Sequence, residues 1–443
     1  MIMINFFSIA KMALLNRLPV PMARKYLQRD ACKSILPATT GREKQLLVDV
    51  SVIIKNDNRT GIQRVVRALL LQLLRQPPVG FRVRPVFATR NKGYRYAPEQ
   101  FGLPDAQTSS LNVTSAVETG PGDIFLGLDL AAHLLSLHKI QLEQWKCSGA
   151  KIHIVVYDLL PVLHPHWFNS KTTRNFHRWL RTIAIFTDSA ICISNSVKSE
   201  LNEWLFQKYK LARGVVPIST IPLGADIESS SPSRGLLEDS AQLLTAFASK
   251  PTVMLVGTLE PRKGHGQVLD AFEKLWLQGG DINLVFVGKP GWKTEKLQKH
   301  LRAHPQNKHR LYWLDNASDE FLDLLYGACT GVIIASHEEG FGLPLIEASY
   351  RNKPVLARDI PVLREIGGNF VTFFSGASTE SLVNDIELWL AKIAVGQIPL
   401  NVPQHNWKDS AQELLNCLGL GQIPIEQDHH MKMSLPRMRE GAA

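Results

Sequence analysis

The chain has 443 residues, of which 45% are hydrophobic and 20% are charged, and its formal net charge is +10 at pH 7. This length exceeds what one hydrophobic core organises and predicts two domains, while the composition excludes a disordered or fibrous protein. A net charge of this size is compatible with an anionic small ligand, an anionic membrane or a nucleic acid. The sequence carries no nucleic-acid-binding signature, so we expect no nucleic-acid partner.

The first segment, residues 1–45, is apolar at its start and basic towards its end. Its apolar run is interrupted by polar residues and lacks the charge order of a signal peptide. We expect either an amphipathic basic segment lying on an anionic membrane or helices packed on their own domain. The five cysteines show no metal-ligand or redox spacing, which favours a reducing compartment. We therefore expect a cytoplasmic protein. If the first segment lies on a membrane, we expect peripheral contact at the inner face of the cytoplasmic membrane.

Strand-like runs alternate with helical patterns from residue 46 to residue 228, as in an α/β fold with a parallel sheet. The predicted strands are Leu46–Ile53, Arg82–Phe87, Asp123–Gly127, Lys151–Tyr157, Ser189–Ile193 and Val216–Pro222. Between the first two, Gly61–Leu74 carries apolar residues at helical spacing. Residues 46–228 are thus the predicted first domain.

A second α/β series follows a small, polar stretch that we assign to a linker, residues 229–250. Its predicted strands are Thr252–Gly257, Asn283–Gly288, Arg310–Leu314, Gly331–Ala335, Pro354–Ala357 and Phe370–Phe374. We predict a second domain at 251–405, a helix at 406–420 and a polar tail at 421–443. Two such domains in tandem leave a cleft between the carboxyl ends of their strands.

The second domain opens with the string V-G-T-L-E-P-R-K-G, in which a strand gives way to a helix. The strand ends at Gly257, the chain turns through Pro261, and the helix begins near Gly264. Arg262 and Lys263 therefore lie on a turn that faces the cleft. Two cations there would neutralise a diphosphate and the charge that builds on it as a leaving group, although basic residues near a helix start are also common on solvated surfaces.

The most informative stretch is S-H-E-E-G-F-G-L-P-L-I-E-A, residues 336–348, which links a buried strand to a helix. Gly340 and Gly342 permit a sharp turn and the close approach of a ligand. The helix that starts there offers unpaired N–H groups and the positive end of its dipole to an anion. Glu339 and Glu347 flank this anion site with side chains that only accept hydrogen bonds. The pattern indicates a ligand with both phosphate and hydroxyl groups, such as a sugar nucleotide.

Together these strings resemble the donor domain of retaining GT-B glycosyltransferases, above all the large bacterial family that includes mannosyltransferases of O-antigen and exopolysaccharide assembly. Besides the two strings above, the second domain contributes L-V-F-V-G-K-P-G-W. The first domain agrees through D-V-S, T-G-I-Q-R-V-V-R, Y-D-L-L-P-V-L-H-P and I-S-N-S-V-K-S-E-L. The resemblance covers most of residues 46–420. It implies an α/β GT-B fold, two Rossmann-like parallel-sheet domains facing a central cleft, with the acceptor on the first and the donor on the second.

The resemblance also implies roles for individual residues. Glu339 matches the first acid of the family's E-x7-E motif, which approaches the transferred sugar, and Glu347 matches the second, which binds the ribose of the donor. Lys263 is implied to bind the diphosphate with Arg262 beside it, and Gly61 passes close to it. The remaining implied donor contacts are Gly257, Thr258, Gly340, Phe341, Gly342 and Leu343. Thr258 stands where many relatives have a second arginine.

One strand end departs from the family pattern. The family often has a histidine where this chain has Tyr157, followed by Asp158. We expect Asp158 to contact the sugar and to be catalytic together with Glu339 and Lys263, with His164 as the second choice. A strand-end aspartate can equally cap a turn.

The sequence contains no D-x-D pair, so we expect neither a bridging metal nor any other cofactor. Cations and a helix start can stabilise the departing diphosphate instead. The resemblance implies transfer with retention, and without an evident covalent nucleophile we favour attack by the acceptor hydroxyl on the face that the diphosphate leaves. The favoured donor is GDP-mannose, and the favoured acceptor is a lipid-linked glycan or an oligosaccharide.

Other functions remain open at this point. Another donor, namely GDP-rhamnose, UDP-glucose or UDP-galactose, is the nearest alternative. A non-catalytic nucleotide-sugar-binding protein is the alternative from a different class. A nicotinamide-dependent oxidoreductase is disfavoured because Gly340-Phe341-Gly342 is followed by Leu345 where that fingerprint needs its third glycine.

Overall fold

The computed structural model describes residues 6–34, 42–98, 101–102, 115–398 and 405–421. These residues form two α/β domains, each built on one sheet. The strands of the first sheet are β1 Lys44–Asp49, β2 Phe81–Phe87, β3 Arg95–Tyr96, β4 Ile124–Gly127, β5 Lys151–Val156, β6 Ser189–Cys192 and β7 Ile218–Thr220. The strands of the second sheet are β8 Thr252–Val256, β9 Asn283–Val287, β10 Leu311–Leu314, β11 Gly331–Ile334, β12 Val355–Arg358 and β13 Thr372–Phe374.

Helices cover both faces of each sheet, so that a hydrophobic core lies on either side. The helices that precede residue 230 are α1 Phe6–Arg17, α2 Val20–Ser34, α3 Gly61–Arg75, α4 Lys139–Cys147, α5 Leu160–Leu163, α6 Ser170–Phe186 and α7 Asn195–Tyr209. Those that follow it are α8 Ser240–Ser249, α9 His265–Leu277, α10 Glu295–Ala303, α11 Asp319–Ala328, α12 Leu343–Tyr350, α13 Pro361–Gly367, α14 Thr379–Ala394 and α15 Trp407–Cys417.

The strand order of each sheet determines where a ligand can bind. The first sheet has the order β3-β2-β1-β4-β5-β6-β7, and the second has the order β10-β9-β8-β11-β12-β13. Among the strands of the described residues, only β3, at an edge, pairs in the antiparallel sense. In the second sheet the order reverses between β8 and β11, which are paired with Val253 opposite Gly331. Ligands of doubly wound sheets bind beyond the carboxyl ends of the strands at such a reversal.

The stretch predicted as a linker, residues 229–250, is a loop only in its first part. Residues 240–249 form α8, whose Phe247 is buried in the core next to α11. The preceding loop is also attached to the second domain, since Ser233 N donates to Asp319 Oδ2 at 2.8 Å. The prediction of a linker is therefore wrong for residues 240–249, which form a helix of the second domain.

The last helix, α15, returns to the first domain and packs on α3. Trp407 at its start is buried, and its backbone N–H donates to Asp226 Oδ1 at 2.9 Å. Ala225 N donates to His405 O at 3.0 Å, so the two crossings between the domains lie side by side. The predicted helix at 406–420 is thus present but belongs to the first domain. The predicted tail, 421–443, lies outside the described residues except for its first residue.

The helices α1 and α2 pack against α4 and α6 of the first domain. Val20, Ala23 and Leu27 are buried in that core. The Arg24 guanidinium, also buried, donates to the carbonyl oxygen of Thr187 at 2.8 Å. Of the two interpretations of residues 1–45, packing on the domain is therefore observed for the part that the structure describes, which omits 1–5 and 35–41. Within the described part of the chain, no helix is long and apolar enough to cross a membrane.

Candidate active site

The candidate site lies where the strand order of the second sheet reverses, beyond β8 and β11. After β8 the chain turns through the 3-10 helix Pro261–Lys263 into α9. Gly264 between them has a φ of 72°, and a Cβ there would lie 2.3 Å from the carbonyl oxygen of Ala335, which follows β11. Only glycine allows this approach. It brings the turn after β8 against the loop after β11, where His337 N donates to Arg262 O at 2.7 Å.

Glu339 binds both cations of this turn. Lys263 Nζ and Ser336 Oγ donate to its Oε1, the second at 2.7 Å, and Arg262 Nη1 donates to its Oε2 at 3.1 Å. Burial alone would raise the pKa of Glu339, but the positive charges of Lys263 and Arg262 outweigh it and lower the pKa to about 2. At neutral pH the carboxylate is therefore ionised and occupies the two cations that an anionic ligand would need.

The loop from Gly340 to Leu343 leads from Glu339 into α12. Gly342 is the N-cap with a φ of 98°, and no side chain caps the helix. The second residue of α12, Pro344, has no N–H, and Leu345 N donates to Gly342 O at 2.9 Å. The N–H groups of Phe341 to Leu343 are therefore those that this helix start offers to an anion. The Phe341 side chain is buried and lines a cavity together with Ile346.

The first domain closes tightly over this loop. Ser194 Oγ donates to the carbonyl oxygen of Gly340 at 2.8 Å. A Cβ on Gly340 would lie 2.1 Å from the carbonyl oxygen of Tyr157, and a Cβ on Gly61 would lie 3.3 Å from Leu343 Cδ1. Both glycines therefore lie where the two domains are in close contact, and the cleft is closed in this structure.

We expect Gly340→Ala to prevent full domain closure and to lower kcat/KM about 10²-fold, the effect of a small misplacement of reacting groups. Gly340 is not among the glycines with positive φ, so the new Cβ meets an obstacle only in the other domain. Gly327→Ala in α11 is the matched control, because a Cβ there meets no atom within 4 Å. Steady-state kinetics with small-angle scattering measure the effect, and unchanged kinetics for Gly340→Ala would contradict it.

Asp158 follows β5, and of the two roles considered for it the structure shows the cap. Leu160 N donates to its Oδ1 at 3.1 Å, so the carboxylate caps a turn. Burial raises the pKa of Asp158 to about 6, and the nearby charge of Arg262 partly offsets this rise. Tyr157, by contrast, points into the core, where its hydroxyl donates to the carbonyl oxygen of Leu128 at 2.7 Å. It therefore cannot take the place of the family's sugar-contacting histidine.

His164 lies beside the same loop but outside the ion pairs. Its Nε2 is 3.8 Å from Glu338 Oε1, and its ring stacks on Trp167 with the centroids 4.6 Å apart. Trp292 of the second domain reaches this segment and donates from its indole N–H to the carbonyl oxygen of Trp167 at 2.7 Å. These rings form a half-exposed aromatic rim at the edge of the cleft.

If Asp158 acts as a carboxylate, kcat/KM is expected to rise with pH through about 6, because burial keeps it protonated below that pH. Asp158→Asn should remove this limb of the profile together with most of the activity. Glu200→Gln is the control. Burial raises the pKa of Glu200 to about 7, so the ionisation of Glu200 would produce a separate limb, and the limb near pH 6 should persist in Glu200→Gln. A limb near 6 that survives in Asp158→Asn would show that another group is responsible.

Residues 239–394 match the family described as "Glycosyl transferases group 1". This match lies within the second domain, which is therefore referred to as the group 1 domain. Over 379 residues the chain is 39% identical to the "Serotype-specific mannosyltransferase WbdA" of Escherichia coli, covering 85% of this chain and 45% of WbdA. It is 28% identical over 176 residues to the "O-antigen chain mannosyltransferase B" of the same species, covering 38% of this chain and 45% of that protein. The chain thus spans less than half the length of these relatives.

Solved structures share the arrangement of the group 1 domain and its partner domain. The Anabaena HepE complex with UDP and glucose has a TM-score of 0.53 at 14% identity, covering 85% of this chain and 97% of that one. The sucrose-phosphate synthase of Thermosynechococcus elongatus has a TM-score of 0.55 at 17% identity, covering 85% of this chain and 96% of that one. The predicted GT-B fold is confirmed, and so is the family resemblance.

The group 1 domain brings most of its predicted donor-binding residues to one place. Lys263, Arg262 and Glu339 are in contact, and the loop Gly340–Leu343 continues from them. Gly257 lies beside the aliphatic part of Lys263, since a Cβ on Gly257 would lie 3.6 Å from Lys263 Cε. Thr258 packs instead against the loop after β9, where its Cγ2 would lie 3.0 Å from a Cβ on Gly291. The roles of these residues stay predictions.

Glu347, the second acid of the motif, is buried in the group 1 domain below this loop. Its Oε1 accepts a hydrogen bond from Arg64 of the first domain, and its Oε2 accepts one from Tyr326 at 2.9 Å. The sequence analysis did not identify Arg64, Tyr326 or Asp319, which also binds Arg64. One signal for Arg64 exists, since it lies one helical turn after Gly61 and therefore on the same face of α3.

Proposed function

We propose that the protein is a retaining glycosyltransferase that transfers a hexose, with mannose from GDP-mannose as the first candidate, to a lipid-linked glycan or an oligosaccharide. The observation that carries this proposal is the contact of Glu339 with Lys263 and Arg262 beside the uncapped start of α12. These groups lie at the strand-order reversal of a group 1 domain, where a phosphorylated ligand is expected to bind.

In the proposed reaction the diphosphate of the donor replaces Glu339 as the partner of the two cations. Lys263, Arg262 and the N–H groups of α12 then stabilise the charge that develops as the bond between the anomeric carbon and the phosphate oxygen breaks. The acceptor hydroxyl forms the new bond on the face of the sugar that the diphosphate leaves, and it gives its proton to the diphosphate. The configuration of the anomeric carbon is therefore retained. Glu339, released from its ion pairs, contacts the sugar, and Glu347 accepts hydrogen bonds from the ribose.

Metal independence forms part of this proposal, because protein charges can supply what a divalent cation supplies elsewhere. Two other groups of side chains in the described residues could hold a metal ion. They are Glu273 with His300 and His304, and Asp30 with Glu143 and Cys147. The second group already contains the ammonium of Lys11 between its carboxylates, and neither group includes a residue of the candidate site.

Mannose is proposed because WbdA, which matches 85% of this chain, and the O-antigen chain mannosyltransferase B, which matches 38% of it, are both named as mannosyltransferases. GDP-rhamnose, UDP-glucose and UDP-galactose remain the alternative donors. For the acceptor, the aromatic rim of His164, Trp167 and Trp292 supports a glycan, since half-exposed ring faces pack well against pyranose rings. His164 of this rim is 3.8 Å from Glu338, the neighbour of Glu339 in sequence.

The experiment that tests the proposed function is an assay of purified full-length protein with a panel of GDP- and UDP-sugars and a lipid-linked acceptor, in the presence of EDTA. Turnover of GDP-mannose with retained configuration is expected. Turnover of another donor would correct the sugar, and turnover that EDTA abolishes would contradict the metal-free mechanism. Binding of nucleotide without any turnover would favour the non-catalytic alternative, against which the presence of Glu339, Glu347 and Lys263 argues.

Peripheral contact with an anionic membrane is proposed for the outer face of α1 and α2. Met22 and Tyr26 are exposed there beside the exposed cations Arg17, Lys25 and Arg29, so that apolar and basic groups face the same side. Such a protein is expected to act at the inner face of the cytoplasmic membrane.

The double variant Lys25→Glu with Arg29→Glu should lower partitioning onto vesicles containing phosphatidylglycerol about tenfold or more, because each basic residue near the surface contributes about 1 kcal/mol. The matched control is Lys296→Glu with Lys299→Glu, since both lysines are exposed on α10. Deleting the helices is not a clean test, since Ala23 belongs to the domain core. Equal partitioning of both double variants in a flotation assay would remove the membrane contact.

A further inference from the structure

The guanidinium of Arg64 connects the two domains through two acids. Arg64 lies on α3 of the first domain, and it donates from Nη1 to Glu347 on α12 and from Nη2 to Asp319 at the start of α11. All three side chains are at least nine-tenths buried. The position of α3 is fixed from its first residue, because Thr60 caps it in a capping box with Gln63. Arg64 therefore reaches the second domain from a rigid helix.

The two acids differ in what else holds them. Asp319 accepts hydrogen bonds from Ser233 N at 2.8 Å and from Ser233 Oγ at 3.0 Å, so it is bound independently of Arg64. Burial alone would raise the pKa of Asp319, but the charge of Arg64 and the hydrogen bonds from Ser233 together outweigh it and lower the pKa. Glu347 has Tyr326 on one oxygen and only Arg64 among the described residues on the other. The oxygen that Arg64 occupies is thus the one that a ligand can take over.

We propose that Arg64 is a further residue of the donor site, which occupies the ribose-binding carboxylate of Glu347 while no donor is bound. This inference rests on the proposed function, in which Glu347 accepts hydrogen bonds from the ribose. Arg64 Nη1 donates to Glu347 Oε1, and a ribose hydroxyl would donate to the same oxygen, so the guanidinium and the ribose compete for it. When the donor enters, Arg64 leaves Glu347 and keeps Asp319.

Asp319 makes this exchange feasible. A buried cation that loses its only partner is strongly destabilised, whereas one that retains an acid is not. Asp319, like Glu347, belongs to the second domain, so Arg64 still connects the two domains after the exchange.

The test is a double-mutant cycle on the affinity for GDP and UDP, measured by titration calorimetry on the full chain with Arg64→Met, Glu347→Gln and the combined variant. Arg64→Met is expected to bind the nucleotide about tenfold more tightly than the wild type, a coupling of ordinary size. In the Glu347→Gln background the same substitution is expected to have little effect. Arg64→Met with Asp319→Asn, which preserves the charge balance, should tighten binding as well if the single variant folds poorly.

The outcomes separate the alternatives. Weaker binding by Arg64→Met would mean that Arg64 contacts the nucleotide directly, and it would overturn the inference. Equal tightening with and without Glu347 would also overturn it, because Arg64 would then act only through domain closure. If the folded wild type and all variants bind neither GDP nor UDP, the proposed function itself fails. Nucleotide binding by the wild type without the predicted coupling would leave the proposed function standing and refute only the role of Arg64.

Discussion

Replacing Lys263 by alanine is expected to lower kcat about 10²–10³-fold, the usual effect of removing one preorganised group that stabilises developing charge. Lys263 is the cation that approaches Glu339 Oε1 in the donor-free protein, and its position is fixed by the turn at Gly264. In the proposed reaction the same ammonium stabilises the departing diphosphate. Single-turnover kinetics with saturating donor measure this step directly.

The matched control for this variant is Lys274→Ala. Lys274 lies on α9, the helix that follows the turn, but it is partly exposed and pairs with Glu380 on α14. Its removal should leave kcat unchanged. A kcat for Lys263→Ala within about threefold of the wild type would mean that Lys263 contributes no electrostatic stabilisation to the transition state. The cation role would then have to be assigned to Arg262 alone.

Glu339→Gln is expected to lower kcat about 10²–10³-fold and, at the same time, to tighten the binding of GDP. The carboxylate loses its proposed contact with the sugar, which lowers kcat. It also no longer competes with the diphosphate for Lys263 and Arg262, which strengthens nucleotide binding. Glu338→Gln, at the neighbouring and more exposed position, is the control and should not change the affinity for GDP. Weaker GDP binding by Glu339→Gln would contradict the exchange of partners.

The ion pairs of Glu339 also predict how this variant alters stability. The pKa of Glu339 is lowered to about 2, from 4.5 in the unfolded chain. Its charge therefore stabilises the fold fully above pH 4.5, and this stabilisation is lost as the pH falls towards 2. The difference in melting temperature between the wild type and Glu339→Gln should be largest near neutral pH and decrease below pH 4.5. A pH-independent difference would show that the ion pairs do not stabilise the fold.

The sequence predicts the fold well because its strands are short apolar runs between clear turn signals, and the structure has each predicted strand within a few residues. It does not predict β3, whose two residues are too few to show alternation. It assigns α8 to a linker because the serine-rich start of that stretch masks the apolar spacing that buries Phe247. The strand periodicity accounts for the inward orientation of Tyr157. Val155, two residues earlier and so on the same face of the strand, is buried in the same core.

The cation and loop residues of the candidate site could be predicted because each follows a strand end that topology places at one edge of the sheet. The contacts of Arg64 could not be predicted in the same way. Arg64 and Glu347 are 283 positions apart, and they meet only because the two domains close. Single-sequence patterns report local periodicity and turns, whereas the angle between two domains depends on the whole interface.

A crystal structure of the full chain with GDP, grown in the presence of EDTA, tests the central claim most directly. We predict that the diphosphate lies within hydrogen-bond distance of Lys263 Nζ and of the N–H groups of Phe341 to Leu343. Glu339 should have left both cations, and the ribose should bind Glu347. GDP bound elsewhere in the cleft, with the Glu339 ion pairs intact, would contradict the account.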